Sequence, residues 1–442
     1  MTTLTIAIVV VFVLGYACIA LESVTRVNKA AIALLMFVAT WTLFMMDPAS
    51  YIPNFSPELI NAVIEKHLGS TATTLFFLMG AMTIVEIVDQ NGGFNFVRDA
   101  LRTTSKRRLL WRIVFITFFL SAILDNMTTS IVMVMVLRKL VDNRQDRMMF
   151  ASLVIIAANS GGAFSPIGDV TTIMLWNKGL LTAAGVITEI FLPSLVSAVI
   201  PALIMQWMLK GRLDAPASTV VTEEESFTSR ERKTIFCLGV GGLCFVPVFH
   251  NLTNLPPFVG ILLVLGVLWT TIEIFYRKER YRQDSMKRRV SKVLGRIDMS
   301  TILFFLGILM AVSCLEEIKV LELAGVWLNE VSCGNHYLVT GIIGVVSSIV
   351  DNVPLVAGCM GMYTNLVGDY AVDGLFWQLL AYCAGVGGSM LIVGSAAGVV
   401  VMGLERISFG WYMKRISWLV AVGYFAGIIT YWLQNYIVAM LH

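Results

Sequence analysis

Charge is what this sequence has least of. Only 14% of its 442 residues are Asp, Glu, Lys or Arg, against roughly 25% in soluble globular domains. With 57% hydrophobic residues and a mean hydropathy of +0.80, such a chain cannot keep a folded surface wet. Lipid must be its solvent, which excludes an ordinary soluble enzyme. The surplus of base over acid is only +3 and is dispersed, which argues against nucleic acid as a partner. Histidine is scarce: His67, His250, His336 and terminal His442. None reads as mid-helix, which speaks against a histidine proton switch or a zinc site. The seven cysteines form no CxxC pair, lie mostly in apolar runs, and read as small buried hydrophobes. HExxH and GxSxG are absent, and no resident cofactor is expected.

What the chain does have is long apolar runs. Residues 4–21, 29–46, 191–209, 258–276 and 417–433 each approach or exceed the length of a membrane helix. No small-residue cleavage site follows the first run, so it reads as a retained helix rather than a signal peptide.

Three blocks recur in the same order in the two halves. Thr74-Leu-Phe-Phe-Leu-Met-Gly is matched by Ile302-Leu-Phe-Phe-Leu-Gly. Ser121-Ala-Ile-Leu-Asp-Asn is matched by Ser347-Ser-Ile-Val-Asp-Asn. Asn159-Ser-Gly-Gly-Ala-Phe-Ser-Pro-Ile-Gly is matched by Gly385-Val-Gly-Gly-Ser-Met-Leu-Ile-Val-Gly. Near-constant spacing of three blocks argues for an internal repeat, a common construction in secondary transporters.

Basic residues set the orientation. The loop at 277–298 is the richest in Arg and Lys and reads as cytoplasmic by the positive-inside rule. Two further basic clusters, Arg102 to Arg112 and Arg138 to Arg147, flank one apolar segment. A segment with both ends on one side is a re-entrant hairpin, with Asp125-Asn126 at its tip. The equivalent segment of the second half has uncharged or acidic flanks, so it enters from outside.

The expected fold is therefore an all-α polytopic membrane protein. It is an inverted repeat with two opposed re-entrant hairpins and two broken transmembrane helices. Residues 1–69 are expected to be scaffold helices, and 70–209 a first transport half with its hairpin at 109–140 and broken helix at 148–177. A cytoplasmic linker at 210–232 precedes further scaffold helices at 233–298. The second transport half, 299–442, has its hairpin at 337–366 and broken helix at 371–404.

The candidate chemistry lies at the tips and the breaks. A carboxylate inside a membrane is costly and by default marks a functional site. Ionised, Asp125 or Asp351 can bind a small cation; desolvation favours the proton instead. Asn126 and Asn352 add amide oxygens, and Ser121, Thr128, Thr129, Ser130, Ser347 and Ser348 add hydroxyls, ligands that suit a hard cation. Asp169 follows the first Gly-rich break and precedes Thr171 and Thr172; its counterpart in the second half is Ser395. The same Asp residues also have the chemistry of helix caps. Glu86, Asp89, Glu316 and Glu317 read as interfacial or as lining a proton path. An organic-anion carrier would call for Lys or Arg near the breaks inside the membrane, and none is evident. Between Asp125 and Asp351, the hydroxyls and Asp169 near Asp125 favour it as the principal carrier.

These motifs resemble the NhaD-type sodium/proton antiporters of the ion transporter superfamily, whose relatives include arsenite-efflux and dicarboxylate carriers. The resemblance covers nearly the whole chain. It implies exchange of external protons for cytoplasmic Na⁺ or Li⁺ by a homodimer in the lipid bilayer, its transport domains sliding against a fixed scaffold. A bacterial inner membrane is the expected location. By motif position it implies functional roles for Ser121, Asp125, Asn126, Asn159, Asp169, Thr171, Thr172, Ser347, Asn352 and Ser389, with Asp351 added by the repeat. The cation itself would lie at Asp125, Asn126, Asp169 and Asn352. Arsenite or organic-anion transport is the alternative within the same superfamily.

Overall fold

Backbone polar groups in hydrocarbon must be satisfied within the chain, and helix is the simplest way to do so. The computed structural model describes residues 2–20, 27–52, 57–94, 97, 100–209, 211–213, 228–276, 293–349 and 351–441. Among them are eighteen α-helices. The first half contains α1 (Thr3–Ala20), α2 (Lys29–Phe44), α3 (Pro57–Gln90), α4 (Lys106–Ser121), α5 (Asn126–Leu140), α6 (Arg144–Ala163), α7 (Val170–Asn177) and α8 (Ala183–Met208). The second contains α9 (Ser229–Thr253), α10 (Pro257–Tyr276), α11 (Met299–Glu317), α12 (Val320–Val331), α13 (His336–Ser347), α14 (Asn352–Met362), α15 (Leu375–Gly387), α16 (Ala396–Glu405), α17 (Phe409–Arg415) and α18 (Ser417–Leu441). Among the described residues, five helices are long and apolar enough to cross a membrane, or six if the bent pair α17 and α18 is one span. Large apolar side chains such as Leu35, Trp207, Leu252, Ile274 and Trp432 stand exposed on helix faces. In water they would drive aggregation; in a bilayer they are the lipid contact. The protein is a multi-pass integral membrane protein.

Two helices are wrapped by protein rather than lipid. Every residue of α6 from Met149 to Ala163 is buried, as is every residue of α15 from Phe376 to Gly387. A helix buried all round belongs at the centre of an assembly. Each of these helices then breaks. Phe164–Asp169 separates α6 from α7, and a stretch from Gly388 to Ser395 separates α15 from α16.

Glycine makes these breaks compact. A Cβ on Gly161 would lie 2.1 Å from the carbonyl oxygen of Phe118, and one on Gly387 would lie 2.1 Å from that of Gly344. A Cβ on Gly168 would likewise press on the Ser121 carbonyl, and one on Gly394 on that of Ser348. Matching hydroxyls fasten the same elements: Ser121 Oγ donates to Ala158 O at 2.6 Å, and Ser347 Oγ to Ala384 O at 2.9 Å. Both links span 37 residues. Equivalent positions of the two halves thus make equivalent contacts.

The turn between α4 and α5 carries Asp125, and the turn between α13 and α14 carries Asp351. The arms of the first pair have 16 and 15 residues and those of the second 12 and 11, or about 24 and 17 Å of helix. Two clasps hold the outer ends of these elements. Buried Glu405, at the end of α16, accepts from Arg138 Nε and Arg147 Nε at 2.7 Å each. Asp373, ahead of α15, accepts from Thr182 N at 2.7 Å and Thr182 Oγ1 at 2.6 Å, just before α8.

A second group of helices stands beside this assembly. α2 runs parallel to α11: Asn28 meets Ser300, Gly307 faces Ala33 and Leu34, and Trp41 Nε1 donates to Met310 O. α3 runs antiparallel to α11, with His67 opposite Glu317 and Thr71 beside Met310.

Two expectations need correction. His67 does sit within a helix: α3 starts at Pro57, well before the apolar run, because Glu65 and Lys66 disguise its first turns. It is buried and its Nε2 lies 2.7 Å from Glu317 Oε1. Only Cys314, Cys359 and Cys383 are buried; Cys18, Cys237, Cys244 and Cys333 are exposed, as thiols can be where the surroundings are lipid. Most of the linker at 210–232 and of the basic loop at 277–298 lies outside the described residues.

Because backbone is the neighbour at Gly161 and Gly387, nothing there can rotate away. Gly161→Ala and Gly387→Ala are expected to cost at least about 1–3 kcal/mol each. Gly358→Ala, with nothing within 4 Å of its Cβ, should be nearly silent. Thermal unfolding of the three purified variants checks this ranking.

Candidate functional site

Four helix N-termini meet at the centre. Asp125 caps α5, Asp169 caps α7, Asp351 caps α14 and Ser395 caps α16. A helix N-terminus carries partial positive charge. Four together would attract an anion if left open, but three of these caps are carboxylates. The capping chemistry read from the sequence is therefore present, and it sets the sign of the site.

Asp169 is the hub. Only 1% of its surface is exposed. Its Oδ1 accepts from Thr171 N at 2.9 Å and from Thr171 Oγ1 at 2.8 Å. Its Oδ2 accepts from Asn126 Nδ2 at 2.7 Å. Asn352 Nδ2 approaches both oxygens, at 3.3 and 3.4 Å. The asparagines of both tips thus converge on the one carboxylate at the first break. Asn126 also donates to Asn159 Oδ1 at 3.0 Å, and Asn159 Nδ2 donates to Ser389 Oγ at 2.8 Å and Ser395 Oγ at 2.9 Å. One continuous chain of amides and hydroxyls therefore joins Asp169 to the second break. Thr172 Oγ1 closes on Asp169 O at 2.9 Å and steadies the first turn of α7.

The other sequence candidates lie at the edge. The Asp125 carboxylate accepts from Thr128 N at 2.8 Å and from Thr128 Oγ1. It borders a cavity of ≈ 50 Å³ whose walls include Phe77, Ile123, Ile167 and Phe305. The hydroxyls of Thr129 and Ser130 are buried on the same helix without a hydrogen-bond partner among the described residues. Ser121 and Ser347 point to backbone carbonyls rather than to Asp169, and Ser348 Oγ donates to Val345 O. Asp351 Oδ1 accepts from Val353 N at 3.3 Å, while Oδ2 accepts from Lys29 Nζ at 3.1 Å. Lys29 reads from sequence as a flanking charge of the first loop; the structure brings it to the second tip. Among the described residues no three His, Cys, Asp or Glu side chains are grouped as for a transition metal.

Glu86 accepts from Gln90 Nε2 at 2.6 Å. Glu316 lines a separate cavity of ≈ 70 Å³ with His67, Ser70, Thr71, Asn177 and Lys178.

Comparison with known proteins identifies the family. A family model described as citrate transporter (CitMHS) matches residues 16–380. Sodium/proton antiporter 1 of Arabidopsis thaliana is 44% identical over 428 residues, covering 96% of this chain and 72% of that protein. The Na⁺/H⁺ antiporter NhaD of Alkalimonas amylolytica is 30% identical over 454 residues, covering 96% of this chain and 90% of its own. The chain belongs to the NhaD-type antiporter family. Its relatives are transporters of plant and bacterial origin, including Sodium/proton antiporter 2 of Arabidopsis thaliana at 41% identity. The resemblance carried by the Asp-Asn and Gly-rich motifs and this membership agree.

The short contact at Asn126 implies a ranking within the site. Asn126→Ala strips a donor from buried Asp169 and from Asn159 and should destabilise the protein by about 1–3 kcal/mol. Asn352→Ala, whose contacts are longer, should cost less. Thermal unfolding of both variants in the same detergent compares them.

Proposed function

We propose that this protein is a sodium/proton antiporter, moving Na⁺ or Li⁺ against H⁺ through the carboxylate cluster centred on Asp169. The observation that carries the reading is the convergence of Asn126 and Asn352 on Asp169. In this arrangement two amide N–H groups satisfy the carboxylate. A half-turn of each amide exchanges its NH₂ for an oxygen, which converts the two donors into two ligands. Asp169, Asn126, Asn352 and Asn159 then offer the oxygen shell that a small hard cation requires. Asp125 supplies a second carboxylate at the mouth of the same site.

The proton enters by competition. A carboxylate removed from water favours its neutral form, and a bound cation favours the charged one. One site that holds either is sufficient for exchange. Raising the pH leaves more of it ionised, so the apparent KM for Na⁺ should fall as pH rises.

In this reading the two hairpins are re-entrant and opposed, related by an inverted repeat. The equivalent contacts made by Ser121 and Ser347 in their own halves, and by Gly161 and Gly387 in theirs, support the repeat. The hairpins and broken helices of the transport halves at 70–209 and 299–442 move together as one body against the scaffold helices at 1–69 and 233–298, in an elevator-type motion within a homodimer. The basic loop at 277–298 faces the cytoplasm.

Citrate, arsenite or another anion is the second reading, favoured by the description of the matching family model. A carboxylate substrate would meet Asp125, Asp169 and Asp351, each in place of an open helix N-terminus, and like charges repel. Lys29, the cation near the breaks that the sequence reading overlooked, is turned to Asp351.

Everted vesicles carrying an imposed pH gradient test the proposal. Na⁺ or Li⁺ should dissipate the gradient with wild type. Asp169→Asn and Asp125→Asn should each reduce the rate by about tenfold or more, the loss of a charge the cation must meet. Uptake of citrate or arsenite with no response to Na⁺ or Li⁺ at any pH would refute it.

A further inference from the structure

Lys29 and Asp351 are 322 residues apart in sequence and 3.1 Å apart in space. Their side chains retain 26% and 18% exposure, so the pair is half-buried. Lys29 is the first residue of α2. A cation at that position opposes the positive end of its own helix dipole, so its own helix does not favour it there. Two other groups offset this. The Asp351 carboxylate neutralises the ammonium, and the Phe304 ring lies 4.3 Å beneath Nζ, in cation–π geometry. Phe304 belongs to α11, which runs along α2.

The pair joins two different sets of elements. Asp351 caps α14 and is followed directly by Asn352, whose amide reaches Asp169. Lys29 stands on the helices alongside. The second tip therefore carries a carboxylate whose charge is already met by a cation belonging to the protein. Among the described residues no cation meets the first tip: the Asp125 carboxylate is held by Thr128 and by backbone N–H groups of its own turn.

We propose that Lys29 is a tethered competitor of the transported cation. Its ammonium occupies Asp351 and holds the second tip against α2 and α11. When a cation occupies the neighbouring site and draws on the Asp351 charge, that hold weakens and the tip is released. Lys29 is a positioning residue in this scheme: it touches Asp351 and not the transported ion. The inference rests on the antiporter reading and explains the unequal tips within it.

Competition has a signature that a merely structural bridge lacks. Lys29→Gln frees the Asp351 charge, so Na⁺ should bind more tightly and leave more slowly. The apparent KM for Na⁺ should fall about fivefold, while the maximal exchange rate also falls. Lys29→Arg, which keeps the charge, should restore both values toward wild type. In an Asp351→Asn background the Lys29→Gln change should have no further effect on KM, because the residue it acts through is gone. Na⁺ titration of the exchange rate in vesicles, with calorimetric Na⁺ binding to the purified full chain, gives all of these numbers. A KM that is unchanged or raised in Lys29→Gln, or the same fall in KM in the Asp351→Asn background, would overturn the inference while wild-type exchange stands. Wild type without Na⁺-driven exchange would instead overturn the antiporter reading beneath it.

Discussion

A carboxylate with 1% of its surface exposed is expensive to keep inside a membrane. Asp169 is kept there by donors from three directions. Thr171 belongs to its own helix, Asn126 to the first tip and Asn352 to the second. None of these groups is charged, so the site is satisfied without being neutralised. Lysine or arginine in their place would settle the electrostatics permanently and leave nothing for a cation to do. In the proposed antiporter reading, amides leave the negative charge to be met by the transported cation.

The remaining architecture follows from bringing these donors together. Helix caps must end where the carboxylate is, so four helices have to start mid-protein, and the chain must break two helices and turn two hairpins. Each break exposes backbone groups that lipid cannot satisfy. They are buried among other helices, and glycine lets the backbones close to contact. The clasps at Glu405 and Asp373 tie the far ends. Charge scarcity in the composition is the outward sign of this design: charge appears at the ends of elements and at the site, and little elsewhere.

Much of this is legible in the sequence because it is carried by local patterns. The Asp-Asn pairs, the Gly-rich breaks and the matching blocks need no knowledge of distant contacts, and the structure starts and ends helices at them. Asn159, in the Gly-rich end of α6, and Ser389 and Ser395, in the second break, belong to the same local patterns. The hydrogen-bond partners of the carboxylates are not legible. Sequence ranks Asp125 by its hydroxyl neighbours, but Thr128 is a capping partner, Ser121 faces a carbonyl, and the amides gather at Asp169. Lys29 looks like any flanking charge until α2 is laid beside α11, and the partner it meets is in the other half. His67 is hidden for a different reason: α3 extends into polar sequence, where hydropathy does not follow it.

The close approach of Gly161 to Phe118, repeated by Gly387 and Gly344, has a mechanical meaning. Side chains between helices act as a compliant layer, because rotamers can change and take up strain. Here that layer is missing, and peptide planes bear directly on one another. A displacement of either hairpin arm is handed to the broken helix beside it with almost no slack. Stiffness at these two points, obtained by omitting two methyl groups, lets a shift at the outer end of a hairpin arrive undiminished at the carboxylate.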